Sequence, residues 1–273
     1  MPSNILNKFS LYKKTCFILG GCGLIGSEII KTFSKFNSKI IILDINKNKA
    51  NIIIKKFNKN KKFIFFEEFD CHLENDLIYK FPKILEKYGC PNVFVNCSHP
   101  TPKDLKYKTF KNLKKNILDD YVKVQMNSYA WLARLTAEEM CKKGISGSII
   151  LFASIYGLVG QDLNVYKGTT MKESVPYSLI KGGIINYVRQ MASYYGKNNI
   201  RINCISPGGL KGHVKDHGNN QEQKFLKNYS KKVPLARMGE ASEVALCTLF
   251  LASEASSYIT GHNLVIDGGW TII

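Results

Sequence analysis

The chain has 273 residues, of which 45% are hydrophobic and 22% charged, and 39 Lys and Arg against 21 Asp and Glu leave a formal net charge of +18. That balance excludes a disordered chain, which lacks the apolar residues to build a core, and no apolar run approaches the ~20 residues that span a bilayer. At about 100–200 residues per domain the length suits one large domain or two small ones, enough to bury a core without disulfide or metal staples.

Short apolar runs alternate with longer amphipathic stretches. Residues 16–19 predict a buried strand, followed by glycines and a helix over 24–36. A second strand spans 39–43 and ends in Asp44, a helix follows over 46–57, then a third strand at 63–66 and a helix at 76–88. Residues 93–95 predict a fourth strand, 121–143 a long helix and 148–152 a fifth strand. Residues 177–195 predict a second long helix, 201–205 a sixth strand, 222–231 a short helix, 240–251 a helix and 264–266 a seventh strand. Continuous apolar strands alternating with helices imply an α/β, doubly wound, Rossmann-type fold: seven strands, mainly parallel, with helices on both faces. No linker or repeat divides 1–273, so a single domain is expected. Two stretches break the rhythm, 157–176 and 208–232, and both leave strand carboxyl ends, where open α/β sheets bind ligands. They are expected to form the substrate wall and lid.

The charge is lopsided. Residues 1–62 hold 13 Lys against Glu28 and Asp44, whereas 241–273 hold no Lys or Arg. Only four of the 39 basic residues are Arg. Nucleic-acid recognition favours the bidentate arginine fork, so the lysine excess reads as coding bias, and no nucleic-acid partner is expected. The runs Lys55-Lys56 and Lys59 to Lys62 read as a solvated face and loop. Eight cysteines show no C-x-x-C pair and no zinc spacing, which implies reduced thiols, no metal and a cytoplasmic setting. No apolar leader or membrane segment is expected.

Leu19-Gly20-Gly21-Cys22-Gly23-Leu24-Ile25-Gly26 joins the first strand to the first helix. Glycines let a backbone approach a pyrophosphate, and a helix N-terminus supplies free N–H groups. Asp44 lies 18 residues after Gly26. A carboxylate there can accept from ribose hydroxyls and repels a 2′-phosphate, favouring NAD over NADP; it can equally cap the following helix. Asp70 can contact adenine or close a turn.

Tyr177 and Lys181 stand four apart on a helix and share a face. A cation beside a phenol is expected to lower its pKa from about 10 toward the working range. Ser154 ends the fifth strand, Asn127 is a polar amide inside a long helix, and Pro207-Gly208 turns after the sixth strand.

Together these features resemble the short-chain dehydrogenase/reductase family over nearly the whole chain, in its short, single-domain branch. The C-terminal stretches Leu235-Ala236-Arg237-Met238-Gly239-Glu240, Phe250-Leu251-Ala252-Ser253, Tyr258-Ile259-Thr260-Gly261 and Asp267-Gly268-Gly269 are similar to that branch's signature. The resemblance implies a catalytic tetrad of Asn127, Ser154, Tyr177 and Lys181. Tyr177 would transfer the proton, Lys181 would lower its pKa, Ser154 would polarise the substrate oxygen, and Asn127 would anchor a water relay. It implies cofactor contacts from Gly20, Gly23, Leu24, Ile25, Gly26, Asp44, Asp70, Asn96, Cys97, Tyr177, Lys181, Pro207, Gly208 and Leu210, and a homodimer or homotetramer built through the two long helices.

The departures are specific. Leu19 and Leu24 stand where the branch has Thr and Gly, giving a G-x-x-G-x-x-G loop similar to the extended, epimerase-like branch. Asn96-Cys97-Ser98-His99 replaces N-N-A-G, and Gly212 stands where Thr is usual. Ser154 and Tyr177 are 23 positions apart, a long insert. The insert around Tyr166 to Met171 is similar to a subgroup of surface-polysaccharide and flagellin-glycan sugar oxidoreductases. The expected activity is NAD(H)-dependent hydride transfer on a secondary alcohol or ketone of a sugar, with an anionic derivative suited to the basic surface. Alternatives are a 3-oxoacyl reductase, a gluconate-type sugar-acid dehydrogenase, or a catalytically silent nucleotide- or RNA-binding scaffold.

Overall fold

The fold is that of a computed structural model describing residues 3–58, 63–100, 108–212 and 221–273. Seven strands, β1 (Thr15–Leu19), β2 (Lys39–Asp44), β3 (Ile64–Glu68), β4 (Val93–Asn96), β5 (Ser148–Phe152), β6 (Arg201–Pro207) and β7 (Asn263–Ile266), form one sheet in the order β3-β2-β1-β4-β5-β6-β7. Every pairing is parallel, so the sheet is wholly rather than mainly parallel. The helices are α1 (Ser3–Asn7), α2 (Leu24–Ser34), α3 (Lys47–Phe57), α4 (Phe81–Tyr88), α5 (Lys115–Tyr121), α6 (Ser128–Lys143), α7 (Val175–Tyr195), α8 (Gln223–Ser230) and α9 (Ala241–Ala252).

Alternate strand residues point to opposite faces, and that splits the core in two. Phe17, Leu19, Ile41, Phe94, Ile149 and Leu151 pack under α4, α6 and α7. Cys16, Ile18, Ile40, Ile42, Val95 and Ile150 pack under α2, α3 and α9. Burial on both faces explains why the central strands read as unbroken apolar runs.

Helix ends follow local chemistry. Asn46 caps α3 by accepting from the Lys49 N–H at 2.9 Å. Glu240 and Glu243 form a reciprocal capping box on α9. Gly144 ends α6 in the left-handed region, φ 63°. Pro176 opens α7, which starts two residues before the expected Tyr177.

Two helices differ from expectation in their middles. A π turn, Asp76–Lys80, leads into α4. A second, Val122–Asn127, joins α5 to α6, so the long helix begins at Lys115 rather than at 121. A third small core (Ile155, Val165, Phe225, Tyr229, Val233, Met238 and Trp270) holds the two irregular stretches together. Residues 213–220 of the expected lid, and 59–62 of the lysine run, lie outside the described residues.

Candidate active site

The strand order reverses between β1 and β4, and crevices at such switch points receive ligands. The loop from Gly20 to Gly23 leaves β1 there. A β-carbon on Gly26 would come 2.2 Å from the Gly20 carbonyl oxygen, so only glycine lets the loop fold back on α2. Gly23 starts α2 with no side-chain cap, which leaves the first-turn N–H groups of Leu24, Ile25 and Gly26 without partners inside the helix.

Asp44 is not the helix cap, since Asn46 takes that place. Its Oδ2 accepts from the Cys22 N–H and its Oδ1 from the Asn46 N–H, both at 2.9 Å, tying the glycine loop to the end of β2. Asp70 closes a turn: its Oδ1 accepts from the His72 N–H at 2.9 Å and pairs with His72 Nδ1 at 2.8 Å. Asn96 is fully buried. Its Oδ1 accepts from the Ser98 hydroxyl at 2.7 Å, while its Nδ2 has no partner among the described residues. The Cys97 N–H donates to the Leu19 carbonyl at 3.0 Å, and burial pushes its thiol up to about 12. At β6, the Gly208 N–H donates to Ile266 O at 2.9 Å, and the Leu210 carbonyl accepts from Gln221 Nε2 at 2.9 Å.

The two departures at the cofactor end meet. A β-carbon on Gly212, whose φ is 143°, would sit 2.7 Å from the Leu24 side chain. Leu24 thus occupies the room that a side chain at 212 would need.

At the other end of the crevice, Ser154 follows β5 in extended conformation and accepts from the Tyr156 N–H at 3.2 Å. A β-carbon on Gly157 would meet the Lys181 backbone at 2.6 Å, so glycine seats the Ser154 turn against α7. Lys181 is 4% exposed. Its Nζ donates to the Phe152 carbonyl at 2.7 Å and lies 5.1 Å and 5.5 Å from the Tyr129 and Tyr177 ring centroids. Burial pulls its pKa down to about 8, opposed by Cys204 and Cys97.

Tyr177 departs from the expectation that Lys181 lowers its pKa. Burial holds the phenol above its ordinary value, opposed by a hydrogen bond with Ser154. The Lys181 ammonium lies over the tyrosine ring and donates one of its N–H groups to Phe152 O.

Asn127 does not join the other three. It is exposed on the outer side of the helix, in a cleft with Lys123, Trp131, Arg134 and Tyr187. Two residues earlier, Gln125 is 2% exposed, and neither Oε1 nor Nε2 has a partner among the described residues. The sequence held the signal, because Ile117, Tyr121, Gln125 and Tyr129 recur every fourth position on one stripe. His99 was also missed. Its ring stands edge-on to Tyr177, centroids 5.7 Å apart. The residue is exposed, and desolvation, then Lys181 and Lys108, shift its pKa downward.

The two irregular stretches clasp each other above these groups. Tyr166 stacks on Phe225 and Tyr229 on Trp270, at 6.1 Å and 4.4 Å between centroids. Glu222 accepts from the Thr170 N–H at 2.9 Å, and Asp162 pairs with Lys232. Tyr229 OH accepts from the Gly209 N–H at 2.5 Å, tying α8 to the turn after β6.

The family model described as enoyl-(acyl carrier protein) reductase matches residues 23–271. The chain belongs to the short-chain dehydrogenase/reductase family. Within this family it is 30% identical over 261 residues to post-translational flagellin modification protein A of Campylobacter coli, covering 95% of this chain and 99% of that protein. It is also 30% identical over 261 residues to the 3-oxoacyl-[acyl-carrier-protein] reductase FabG of Chlamydia muridarum, covering 95% and 98%. A short-chain dehydrogenase of Leptospira borgpetersenii, solved with bound NAD+, superposes with a TM-score of 0.80 at 29% identity, over 95% of this chain and 93% of that one. The chain is accordingly a short-chain dehydrogenase/reductase that acts on alcohols or ketones. Among the described residues, no helix is long and apolar enough to cross a membrane.

Proposed function

We propose that this oxidoreductase uses NAD(H) and acts on a secondary alcohol or ketone of a sugar or sugar derivative. The observation that carries the reading is the convergence of Ser154, Tyr177 and Lys181 beside a crevice that fits a dinucleotide. The fit rests on the uncapped start of α2, the close-packed glycine loop and the carboxylate of Asp44 at the end of β2. Gly23, Leu24, Ile25 and Gly26 would hold the pyrophosphate, Asp44 the adenosine ribose, and Lys181 the nicotinamide ribose. The cofactor, when bound, supplies or accepts the hydride. Asp44 opposes a 2′-phosphate, which supports NAD over NADP.

Ser154 donates a hydrogen bond to the substrate oxygen. Tyr177 gives that oxygen its proton in reduction and takes it in oxidation. Lys181 offsets the phenolate charge that forms at Tyr177 and guides proton return.

A polyhydroxyl substrate is supported by the walls. Tyr156, Tyr166 and Tyr229 lie close enough to Tyr177 to interact with its charge, so phenols stand in its neighbourhood. Hydroxyls supply both donors and acceptors for a polyol. The similarity to the Chlamydia muridarum enzyme favours a second reading, a 3-oxoacyl reductase. All eight cysteines are free thiols, which fits the cytoplasm, and the cleft with Trp131 on the outer face of α6 suits a homo-oligomeric contact between long helices.

The test is NADH- and NADPH-linked turnover over a panel of sugars, sugar acids, sugar phosphates, nucleotide sugars and 3-oxoacyl thioesters. NADH-linked turnover of a sugar is expected. Turnover confined to the thioesters, with NADPH, overturns the reading.

A further inference from the structure

The turn after β4 sets one ring beside the reacting phenol that the proton and hydride steps above do not use. His99 stands where its branch of the family has glycine, so this chain adds a side chain to the crevice wall. The backbone beneath it is fixed from three sides. Asn96 Oδ1 accepts from the Ser98 N–H at 3.2 Å and from its hydroxyl at 2.7 Å. The Ser98 carbonyl accepts from the Tyr129 hydroxyl at 2.5 Å. A β-carbon on Gly20 would come 2.5 Å from Ser98 Cα, so the glycine loop presses on the same residue. This anchored main chain presents an exposed His99, its ring edge-on to Tyr177 with centroids 5.7 Å apart.

Lys108 approaches from a different segment. Its carbonyl accepts from the Val175 N–H at 2.9 Å, which seats it beside the first turn of α7, two positions before Tyr177. Lys181, one turn beyond Tyr177, has its Nζ 5.5 Å from the Tyr177 ring centroid. The imidazole feels both ammonium groups, and among the described residues no carboxylate and no hydrogen bond acts on it. Glu173, two residues before α7, acts on Tyr166 instead. Two cations and an imidazole thus border the reacting phenol without a counter-charge. A cluster of that kind attracts anions. An oxyanion seated between His99 and Lys108 offsets the repulsion that keeps the imidazole neutral. The ring then takes a proton from solvent and donates a charge-assisted hydrogen bond.

We propose that His99, together with Lys108, anchors an anionic group of the substrate, a carboxylate or a phosphate close to the reacting carbon. The inference rests on the dehydrogenase reading above and narrows its sugar to a charged derivative. Because the His99 and Tyr177 rings are in contact, an oxygen held by one and an oxygen held by the other belong to neighbouring parts of one substrate. The anchor has a use on a polyol, whose hydroxyls are chemically alike: it fixes which of them meets Tyr177.

The test compares charged sugars with neutral counterparts, gluconate with sorbitol and glucose 6-phosphate with glucose. In one pair the charged member is expected to have the higher kcat/KM, and the pair that does so tells carboxylate from phosphate. In His99→Leu that preference is expected to fall about tenfold, the worth of a charge-assisted hydrogen bond, through KM rather than kcat. His99→Lys, which restores a cation, is expected to keep it, and Lys108→Met to lower it less than His99→Leu does. A preference unchanged in His99→Leu overturns the proposal, and so does an equal loss on both members of the pair. A second readout needs no turnover. In NAD-loaded enzyme the ring Cε1–H signal of His99, assigned by its absence from His99→Leu, is followed by NMR during titration with gluconate and with inorganic phosphate. Its pKa is expected to rise by about one unit or more with one of these anions. A response to neither, beyond that given by chloride, overturns the proposal. Absence of turnover in the parent enzyme across the whole panel counts instead against the dehydrogenase reading, and the histidine signal still decides the role of His99.

Discussion

The two ends of the crevice are built from different materials. At the β1–β2 end the groups proposed to meet the cofactor are backbone N–H groups, held by close glycine packing and one carboxylate. At the β5–α7 end they are side chains: a hydroxyl, phenols, an imidazole and a buried ammonium. A site made of backbone tolerates exchange of its side chains, and this one carries leucines at 19 and 24 where its branch of the family has Thr and Gly. A site made of side chains has no such freedom, and it carries the costs of burial, seen in the raised Tyr177 phenol and the lowered Lys181 ammonium.

The largest test of that division is Tyr177→Phe. Turnover is expected to fall by about 10²–10⁴, the usual worth of a positioned acid/base, while NADH binding by fluorescence titration stays within about twofold. Loss of binding as well would erase the boundary between the two ends.

Lys181→Met probes the folding cost at the side-chain end. The folded Lys181 pKa of about 8 lies below its ordinary 10.5, so between those values the unfolded chain binds more protons and parent stability rises with pH. The shift corresponds to about 3 kcal/mol at ~1.4 kcal/mol for each tenfold. Denaturant unfolding at pH 7 and 10.5 should therefore move the stability difference between parent and variant in the parent's favour by up to that amount. A pH-independent difference would remove the cost from Lys181.

Asp44→Ala tests the one side chain assigned a ligand contact at the backbone end. About tenfold weaker NAD binding is expected, the value of one charge-assisted hydrogen bond, with less discrimination against NADP. Unchanged preference would leave Asp44 only its tie to Cys22. Smallest of all, Leu24→Ala is expected to alter NAD affinity by no more than about twofold, because the pyrophosphate would be held by main-chain N–H groups. A larger loss would mean that side chains matter there too.

The sequence made the sheet and helices legible because burial on both faces leaves continuous apolar strands, and β5 falls at its expected limits. Tyr177 and Lys181 were legible through helical spacing within one element. Asn127 was read as a polar amide inside a long helix, which does not report the face it takes, and the structure puts it on the exposed side. The stripe of Ile117, Tyr121, Gln125 and Tyr129 does report phase, and it marks the buried face. The direction of the Tyr177 shift was not legible, because it comes from burial, which the folded packing supplies and helical spacing does not report.

The contact between Leu24 and Gly212 has a historical consequence. The two positions belong to loops leaving β1 and β6 and are far apart in the chain, yet each limits what the other can be. In descent from a protein with glycine at 24 and a side chain at 212, the exchanges could not come in either order with equal ease. Loss of the side chain at 212 opens room, after which leucine can settle at 24. Leucine arriving first would have met an occupied space. With both changes in place, returning a side chain to 212 requires the Leu24 methyls to swing aside and meets a backbone at φ 143° that favours glycine.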